Sequence, residues 1–273
     1  GKTLLPGFID AHGHITQVGL LAQSAKLSSP PDGVVTDFAG IIRKMKDHIN
    51  SRQTKEIGWV LGMNYDDSQL VEKRHTTAKD LDEISADIPV MIVHQSGHLG
   101  VINTRAMEVL GYDASTLDPA GGRLRRISGT NQPNGVLEES ALFAPGIKVI
   151  APKSQEMLFS MIRDAQQAYT AAGFTTAQEG RATPDMITGL VVAANYKQLS
   201  IDVVAYPGPD LYGDDKAFKA MMLTAPLDYS NHYRIGGIKL SLDGSPQGKT
   251  AWLTQHYQVP PEGRGSDYAG YPS

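Results

Sequence analysis

The sequence predicts an α/β protein built around parallel strands, and two observations support this prediction. From residue 154 onward, short apolar runs alternate with amphipathic stretches of helical length, and strands that alternate with such helices form βα units. The chain also opens on an apolar run, 4–9, that leads into His-Gly-His at 12–14. With 273 residues, the chain is long enough for one or two domains with a sizeable core.

Composition narrows the class of protein. The chain is 41% hydrophobic and 20% charged, which is ordinary for a globular protein. Its net charge of −4 argues against a nucleic-acid partner, since nucleic-acid binders normally carry a basic patch. No apolar run reaches the roughly 18 residues of a membrane helix, so we expect no membrane partner. Because no signal-peptide pattern is present, a cytoplasmic location is the default expectation. Cysteine is absent, so a metal would need histidine, carboxylates or a modified lysine as ligands.

The predicted first strand, 8–14, ends in two histidines. Side chains two positions apart in a strand share a face, so His12 and His14 would project together, and Gly13 leaves room for an ion to approach. Two imidazoles on one face are the beginning of a divalent-metal site. Two surface histidines near a loop explain the bare pattern equally well.

The residues after this strand predict a surface helix and then a mixed α+β segment. Apolar positions at helical spacing indicate the helix over 35–52. Thr77 and Gly111 are residue types that begin and end helices. Residues 112–134, rich in glycine, proline and polar side chains, are predicted to form a loop. The predicted elements of the mixed segment are strands at 59–66 and 89–94 and helices at 77–84 and 103–110.

The last part of the chain shows the most regular alternation. Ser154 is a predicted helix N-cap. Lys239 lies inside an apolar run, where burying a cation is expensive, so a lysine that is paired or extends to solvent is the usual explanation. The predicted elements here are helices at 154–172, 184–198 and 215–223 and strands at 174–179, 201–206 and 235–241.

Several stretches resemble one enzyme family. Pro-Gly-Phe-Ile-Asp-Ala-His-Gly-His at 6–14 resembles the first-strand signature of the amidohydrolase superfamily. Other pieces resemble its YtcJ-like subgroup, amidohydrolase family 3: Gly-His-Leu-Gly-Val-Ile-Asn at 97–103, Gly-Gly-Arg at 121–123 and Gly-Val-Leu-Glu-Glu-Ser-Ala at 135–141.

The resemblance implies a (β/α)8 TIM-type barrel, whose active site lies at the carboxyl ends of its strands. This chain would supply the first half of the barrel, strands one to four, with an α+β insert after strand one. The implied strands are 8–14, 174–179, 201–206 and 235–241. The implied domains are 1–56 with strand one and its helix, 57–150 with the inserted substrate-pocket subdomain, and 151–273 with strands two to four.

The resemblance also implies a metal centre with His12, His14 and Lys239 as ligands. Residues 238–245 resemble the fourth-strand motif of the family, in which the lysine is carboxylated by CO2 and bridges two ions. Carboxylation turns the cation into an anion with two oxygen ligands, and it thereby removes the cost of burying an ammonium. We expect one or two divalent ions, with zinc as the first expectation among several metals that accept such ligands.

Further site residues are predicted from less specific patterns. Glu179 ends the second barrel strand and is predicted to orient a metal-bound histidine, or to be a ligand itself if Lys239 is unmodified. A solvated strand-end carboxylate explains it equally well. Asp10 is predicted to be a local hydrogen-bond partner. The resemblance predicts that His98, Tyr65 and Asp66 bind substrate, while a structural loop histidine is an equal alternative for His98. Histidines without ligand-like spacing are predicted at the surface: His48, His75, His232 and His256.

The activity that the resemblance implies is metal-dependent hydrolysis of a C–N bond, of amide or N-formyl type, in a small molecule. The aspartate expected as catalytic base and two further histidines of the family pattern are not found in this sequence, so the catalytic residue is unassigned. Both ends look like cuts through a longer protein. The alternative is a catalytically incomplete half-barrel or metal-binding module, whose edge strands need a partner chain or a second copy.

Overall fold

The computed structural model of the chain describes residues 2–261 and 263–272. The fold is α/β, with a parallel sheet and a mixed sheet. None of the helices in the described residues combines the length and the apolar character needed to cross a membrane. The helices are α1 (Ile15–Gln23), α2 (Phe38–His48), α3 (Arg52–Ile57), α4 (Ala78–Asp82), α5 (Thr104–Leu110), α6 (Ser140–Ile150), α7 (Gln155–Ala171), α8 (Pro184–Asn195) and α9 (Asp215–Thr224). The strands are β1 (Phe8–Ile9), β2 (Ala25–Lys26), β3 (Val60–Tyr65), β4 (Val90–His94), β5 (Leu99–Ile102), β6 (Gly122–Arg126), β7 (Pro133–Glu139), β8 (Phe174–Ala182), β9 (Asp202–Pro207) and β10 (Tyr233–Ile235).

The described residues form two compact units. Unit 1 contains the residues up to Gln23 together with Pro152–Ser241, and unit 2 contains Ser24–Ala151 and the described residues from Leu242 onward. The resemblance predicts boundaries at 57 and 151, where the barrel gives way to its insert and resumes. These boundaries separate parts of a fold and not compact units, so they stay a prediction.

Unit 1 is built on a parallel sheet with the strand order β1-β8-β9-β10. Val203 and Ala205 of β9 are fully buried and pack in one cluster with Leu190 of α8 and Ala165 of α7. The predicted helix start at Ser154 is confirmed, because its hydroxyl accepts the Met157 N–H at 3.1 Å. The strand-helix alternation of the sequence therefore corresponds to real βα units.

The helix cap at Ser154 leads to a first prediction. Replacing Ser154 with alanine removes the acceptor for an otherwise unpaired N–H, and we expect the free energy of unfolding to fall by about 1 kcal/mol. Urea denaturation followed by circular dichroism measures this change. Ser154→Asp keeps a capping oxygen and should stay within about 0.5 kcal/mol of the parent. Equal losses in both variants would contradict a capping role.

The two edge strands of unit 1 are shorter than predicted. β1 ends at Ile9 and β10 at Ile235, so the predicted strands 8–14 and 235–241 were wrong in extent. After Ile9 the regular ladder with β8 ends, although the Asp10 N–H still donates to the Thr176 carbonyl, and the Asp10 carboxylate accepts the His12 N–H and the Tyr169 hydroxyl. Local side-chain hydrogen bonds of this kind compete with the strand ladder.

Unit 2 contains a mixed sheet with the strand order β2-β3-β4-β5-β7-β6, in which β2, β3 and β4 run parallel and the other pairs are antiparallel. Both predicted strands of this region are present as β3 and β4. The helix predicted over 35–52 is present but shorter, as α2 (Phe38–His48), and a separate helix, α3, begins at Arg52, where the Ser51 hydroxyl accepts the Thr54 N–H. Gly111 ends α5 in the left-handed conformation, as predicted.

The loop predicted over 112–134 was wrong, because it contains β6 and the beginning of β7. β6 has the sequence Gly-Arg-Leu-Arg-Arg, and Leu124 is its only buried residue. A single apolar position leaves no period for sequence reasoning to detect. This strand forms because β7 supplies a partner for its backbone groups.

Candidate metal centre

Both predicted histidine ligands lie in the loop between β1 and α1 of unit 1. The carboxylate of Asp10 shapes this loop, since Oδ1 accepts the His12 N–H at 3.1 Å and Oδ2 accepts the Tyr169 hydroxyl at 2.9 Å. The Gly13 carbonyl oxygen accepts the Gly180 N–H at 3.0 Å, which joins the loop to β8. Gly13 is required here, because a Cβ would collide with the Asp10 carboxylate and the Tyr169 hydroxyl.

The imidazoles of His12 and His14 are neighbours, with ring centroids 5.8 Å apart and planes inclined by 58°. Lys239 approaches the same place from the segment after β10, and its Nζ lies 3.3 Å from His12 Nε2. The Lys239 N–H donates to the Pro207 carbonyl at 3.0 Å, which holds that segment beside the end of β9. The structure therefore brings His12, His14 and Lys239 to one end of the parallel sheet.

Glu179 is buried directly beneath His14. Its Oε2 accepts the Thr16 N–H in the first turn of α1 at 2.8 Å, and its Oε1 lies 3.6 Å from His14 Nδ1. Glu179 raises the pKa of His14, and this outweighs the lowering by burial of the ring and by the Lys239 charge.

A second cluster, in unit 2, was missed by sequence reasoning. One ligand atom from each of Asp66, Asp67 and His94 lies within 4.8 Å of the others, which makes the group a potential metal site. His75, predicted at the surface, is mostly buried beside it, and its Nδ1 lies 2.9 Å from the Tyr65 hydroxyl. The sequence did contain a signal for this cluster. β3 and β4 are consecutive apolar runs, and the carboxyl ends of adjacent parallel strands lie at the same edge of a sheet.

The hydrogen bonds of His94 weigh against a metal in its present geometry. His94 Nδ1 accepts the Ser96 N–H at 3.1 Å, so the neutral ring carries its proton on Nε2. That nitrogen faces Asp67 Oδ1 at 3.3 Å and Asp66 Oδ1 at 3.6 Å. An ion on Nε2 would require the proton to move to Nδ1, where the amide hydrogen of Ser96 already lies. The cluster is better suited to a buried imidazole–carboxylate contact.

The charges of this cluster are strongly perturbed. Burial raises the pKa of Asp67, but His94, His75 and Arg125 outweigh this effect and lower the pKa to about 2. Burial, with Arg125 acting in the same direction, lowers the pKa of His75 to about 3. His75 is therefore neutral and Asp67 ionised at neutral pH.

This shift predicts a specific acid sensitivity. Because the pKa of Asp67 lies below its ordinary value of 3.8, its contribution to stability is complete above about pH 4 and disappears as the pH falls toward 2. The contribution amounts to about 2 kcal/mol. Denaturation measured between pH 6 and pH 2 should show that Asp67→Asn loses less free energy of unfolding than the parent, by about this amount. Asp87→Asn, at an exposed position, is the control and should behave as the parent does. A parallel pH dependence in parent and Asp67→Asn would disprove this assignment.

The residues predicted to bind substrate lie in unit 2. Tyr65 is fully buried, and Asp66 is buried with hydrogen bonds from Ser68, Gln69 and Gln95. The side chain of His98 is 29% exposed. Substrate binding by Tyr65, Asp66 and His98 stays a prediction.

Comparison with known proteins places the chain in a family. A family model described as the amidohydrolase family matches residues 1–272. N-substituted formamide deformylase of Arthrobacter pascens is 31% identical over 179 residues, which cover 64% of this chain and 32% of that protein. The YtcJ protein of Bacillus subtilis is 23% identical over 280 residues, which cover 97% of this chain and 48% of that protein.

A solved structure shows the same fold. The crystal structure of an uncharacterized metal-dependent hydrolase from Pyrococcus horikoshii OT3 superposes with a TM-score of 0.64 at 23% identity, over 98% of this chain and 48% of that one. This chain thus spans about half the length, or less, of the relatives it matches. The family match over nearly the whole sequence confirms the resemblance seen in the His-Gly-His segment: the chain belongs to the amidohydrolase family.

Proposed function

We propose that this chain contributes the metal-binding first half of a TIM-type barrel to a metal-dependent hydrolase that cleaves a C–N bond of amide or N-formyl type. The observation that carries the proposal is the 3.3 Å approach of Lys239 Nζ to His12 Nε2. Family membership supports a hydrolase, and the similarity to the N-substituted formamide deformylase of Arthrobacter pascens supports an N-formyl substrate.

The approach of these two side chains bears on the shape of the sheet. His12 follows β1 and Lys239 follows β10, which are the opposite edges of the four-stranded sheet. Adjacent strands lie about 4.8 Å apart, so a flat sheet would separate its outer strands by roughly 14 Å. Two side chains can meet across this distance when the sheet curves and both point toward its concave side, as side chains do inside a barrel. This argument supports strands β1, β8, β9 and β10 as barrel strands one to four.

The donor set fits a divalent ion. Because Glu179 faces His14 Nδ1, that nitrogen carries the proton and Nε2 keeps its lone pair for a metal. Lys239 as an ammonium cannot serve as a ligand, but its Nζ lies close enough to His12 Nε2 for a carboxylated lysine to share an ion with it. A bound zinc or similar ion would lower the pKa of a water molecule and polarise the scissile carbonyl.

The remaining residues of the centre keep these ligands in place. Asp10 fixes the loop that carries His12, and Glu179 fixes the ring of His14. Small molecules are the proposed substrates, and the remaining half of the barrel or a second copy of this chain is the proposed partner.

Metal analysis with complementation tests the proposal. We would measure bound zinc in the purified chain, and then again after adding the C-terminal half of the B. subtilis relative, together with hydrolysis of N-substituted formamides. Stoichiometric metal with turnover that depends on complementation supports the proposal. Metal-free and inert material under both conditions supports the alternative of a non-catalytic module.

A further inference from the structure

His98 is held by Glu139 through two separate contacts within unit 2. Its ring nitrogen Nδ1 lies 2.7 Å from Glu139 Oε2, which is a short, charge-assisted hydrogen bond. The backbone N–H of Glu139 also donates to the His98 carbonyl at 2.9 Å. The ring packs edge-on against Phe143, with centroids 5.8 Å apart. Backbone and side chain of Glu139 thus set both the position and the orientation of the imidazole.

The direction of the hydrogen bond determines the tautomer of His98. An ionised carboxylate only accepts hydrogen bonds, so the proton lies on Nδ1, and in the neutral ring Nε2 keeps a free lone pair. In the described residues, no hydrogen bond to His98 Nε2 is formed. His94 has the opposite arrangement, because its Nδ1 accepts the Ser96 N–H. His98 is therefore oriented as an acceptor, with its proton fixed on the buried side.

Glu139 occupies this position at a conformational cost. Its backbone has φ 49° and ψ −121°, a region that glycine adopts freely and that strains a residue with a side chain. Its side chain is only 9% exposed, and its Oε1 is buried without a hydrogen-bond partner. A Cβ on Gly244 would collide with the Oε1 atom, so the carboxylate is enclosed on that side as well. Strain and an unpaired buried oxygen are together unfavourable for stability, and they point to a role for this side chain at a working site.

We propose that Glu139 is a positioning residue, which holds His98 in the Nδ1–H tautomer so that Nε2 accepts a hydrogen bond from the N–H group of a bound amide substrate. The identity of the substrate rests on the proposed function, whereas the tautomer does not. A histidine that acts on a substrate and is oriented in this way by a carboxylate is a recurring arrangement in enzymes.

Nitrogen NMR of the imidazoles tests the positioning role without any assay of activity. In the 15N-labelled full chain, at an alkaline pH where imidazoles are neutral, we expect His98 to be the Nδ1–H tautomer. In Glu139→Gly, which removes the carboxylate and suits the positive φ, the population should shift toward Nε2–H. Glu139→Gln keeps the shape of the side chain and should show an intermediate mixture. His94 should remain Nε2–H in all three proteins and serves as the internal control.

Two results would overturn the proposal: an Nε2–H tautomer of His98 in the parent chain, or an unchanged Nδ1–H tautomer in Glu139→Gly. In the complemented enzyme, kcat/KM should fall by about 10- to 100-fold in both Glu139 variants, with a changed pH profile. If the complemented parent hydrolyses no formamide while the tautomer behaves as stated, the proposed function fails and the positioning role stands.

Discussion

Replacing His12 with alanine is expected to weaken zinc binding by at least about 100-fold. Substitutions that merely disturb the support of a metal ligand cost 10- to 100-fold in affinity, and the loss of a ligand should cost no less. His12 Nε2 is the imidazole nitrogen next to Lys239 Nζ, so the alanine variant removes one of the proposed donors and leaves the backbone of the loop unchanged. Zinc titration of the purified chain, with a chromophoric chelator as competitor, measures the effect.

The controls for this experiment separate the two clusters of the protein. His232→Ala removes an exposed histidine whose Nδ1 pairs with Asp202, and it should bind zinc as the parent does. Lys239→Arg keeps a positive charge but cannot be carboxylated, and it should behave as His12→Ala does. If zinc binding survives in His12→Ala and is lost in His94→Ala, the metal belongs to the cluster of unit 2, and the proposed centre is wrong.

Leu190→Ala is expected to produce the largest loss of stability, about 2–5 kcal/mol. Leu190 is 0% exposed in α8 and lies in the core cluster of unit 1. Its truncation loses the favourable free energy of transferring the side chain from water into the core. It also leaves a cavity that the close-packed interior fills only in part. Thermal unfolding followed by circular dichroism should show a melting temperature lower by roughly 4–20 °C.

A leucine on the next helix provides the matched control. Leu223 in α9 is 87% exposed, so Leu223→Ala changes little buried area and should alter the free energy of unfolding by less than about 0.5 kcal/mol. Similar effects of the two substitutions would mean that α8 does not pack on the sheet in solution.

The accuracy of the sequence predictions varied with the range of the interactions involved. Helix ends at Ser154 and Gly111 were predicted correctly because caps depend on the residue type and its immediate neighbours. The strands β3 and β4 were found because uninterrupted apolar runs are typical of buried parallel strands. The extent of β1 was wrong, since the hydroxyl of Tyr169, more than 150 positions away, binds the Asp10 carboxylate where the regular strand ends.

The candidate sites show the same distinction. His12, His14 and Lys239 were selected from local motifs, and the resemblance on which they rest belongs to a family that the whole chain matches. The contact of Glu139 was missed, because it joins the end of β7 to the residue before β5, and these two strands are neighbours only in the folded sheet. The burial of most of His75 was missed for a related reason, since a lone histidine in a polar segment gives no sign that the Tyr65 hydroxyl will bind it.

Residue order in this protein was sufficient to establish the α/β class, several helix boundaries, the family and the residues proposed to bind metal. These features depend on local periodicity, capping and contiguous motifs, which can be recognised in the sequence without coordinates. The folded structure alone showed that Lys239 meets His12 across four strands, that Glu139 pairs with His98, and that Asp67 is held ionised beside His94 and His75. Each of those depends on distances and burial between residues far apart in the chain, and such quantities arise only when the sheets assemble.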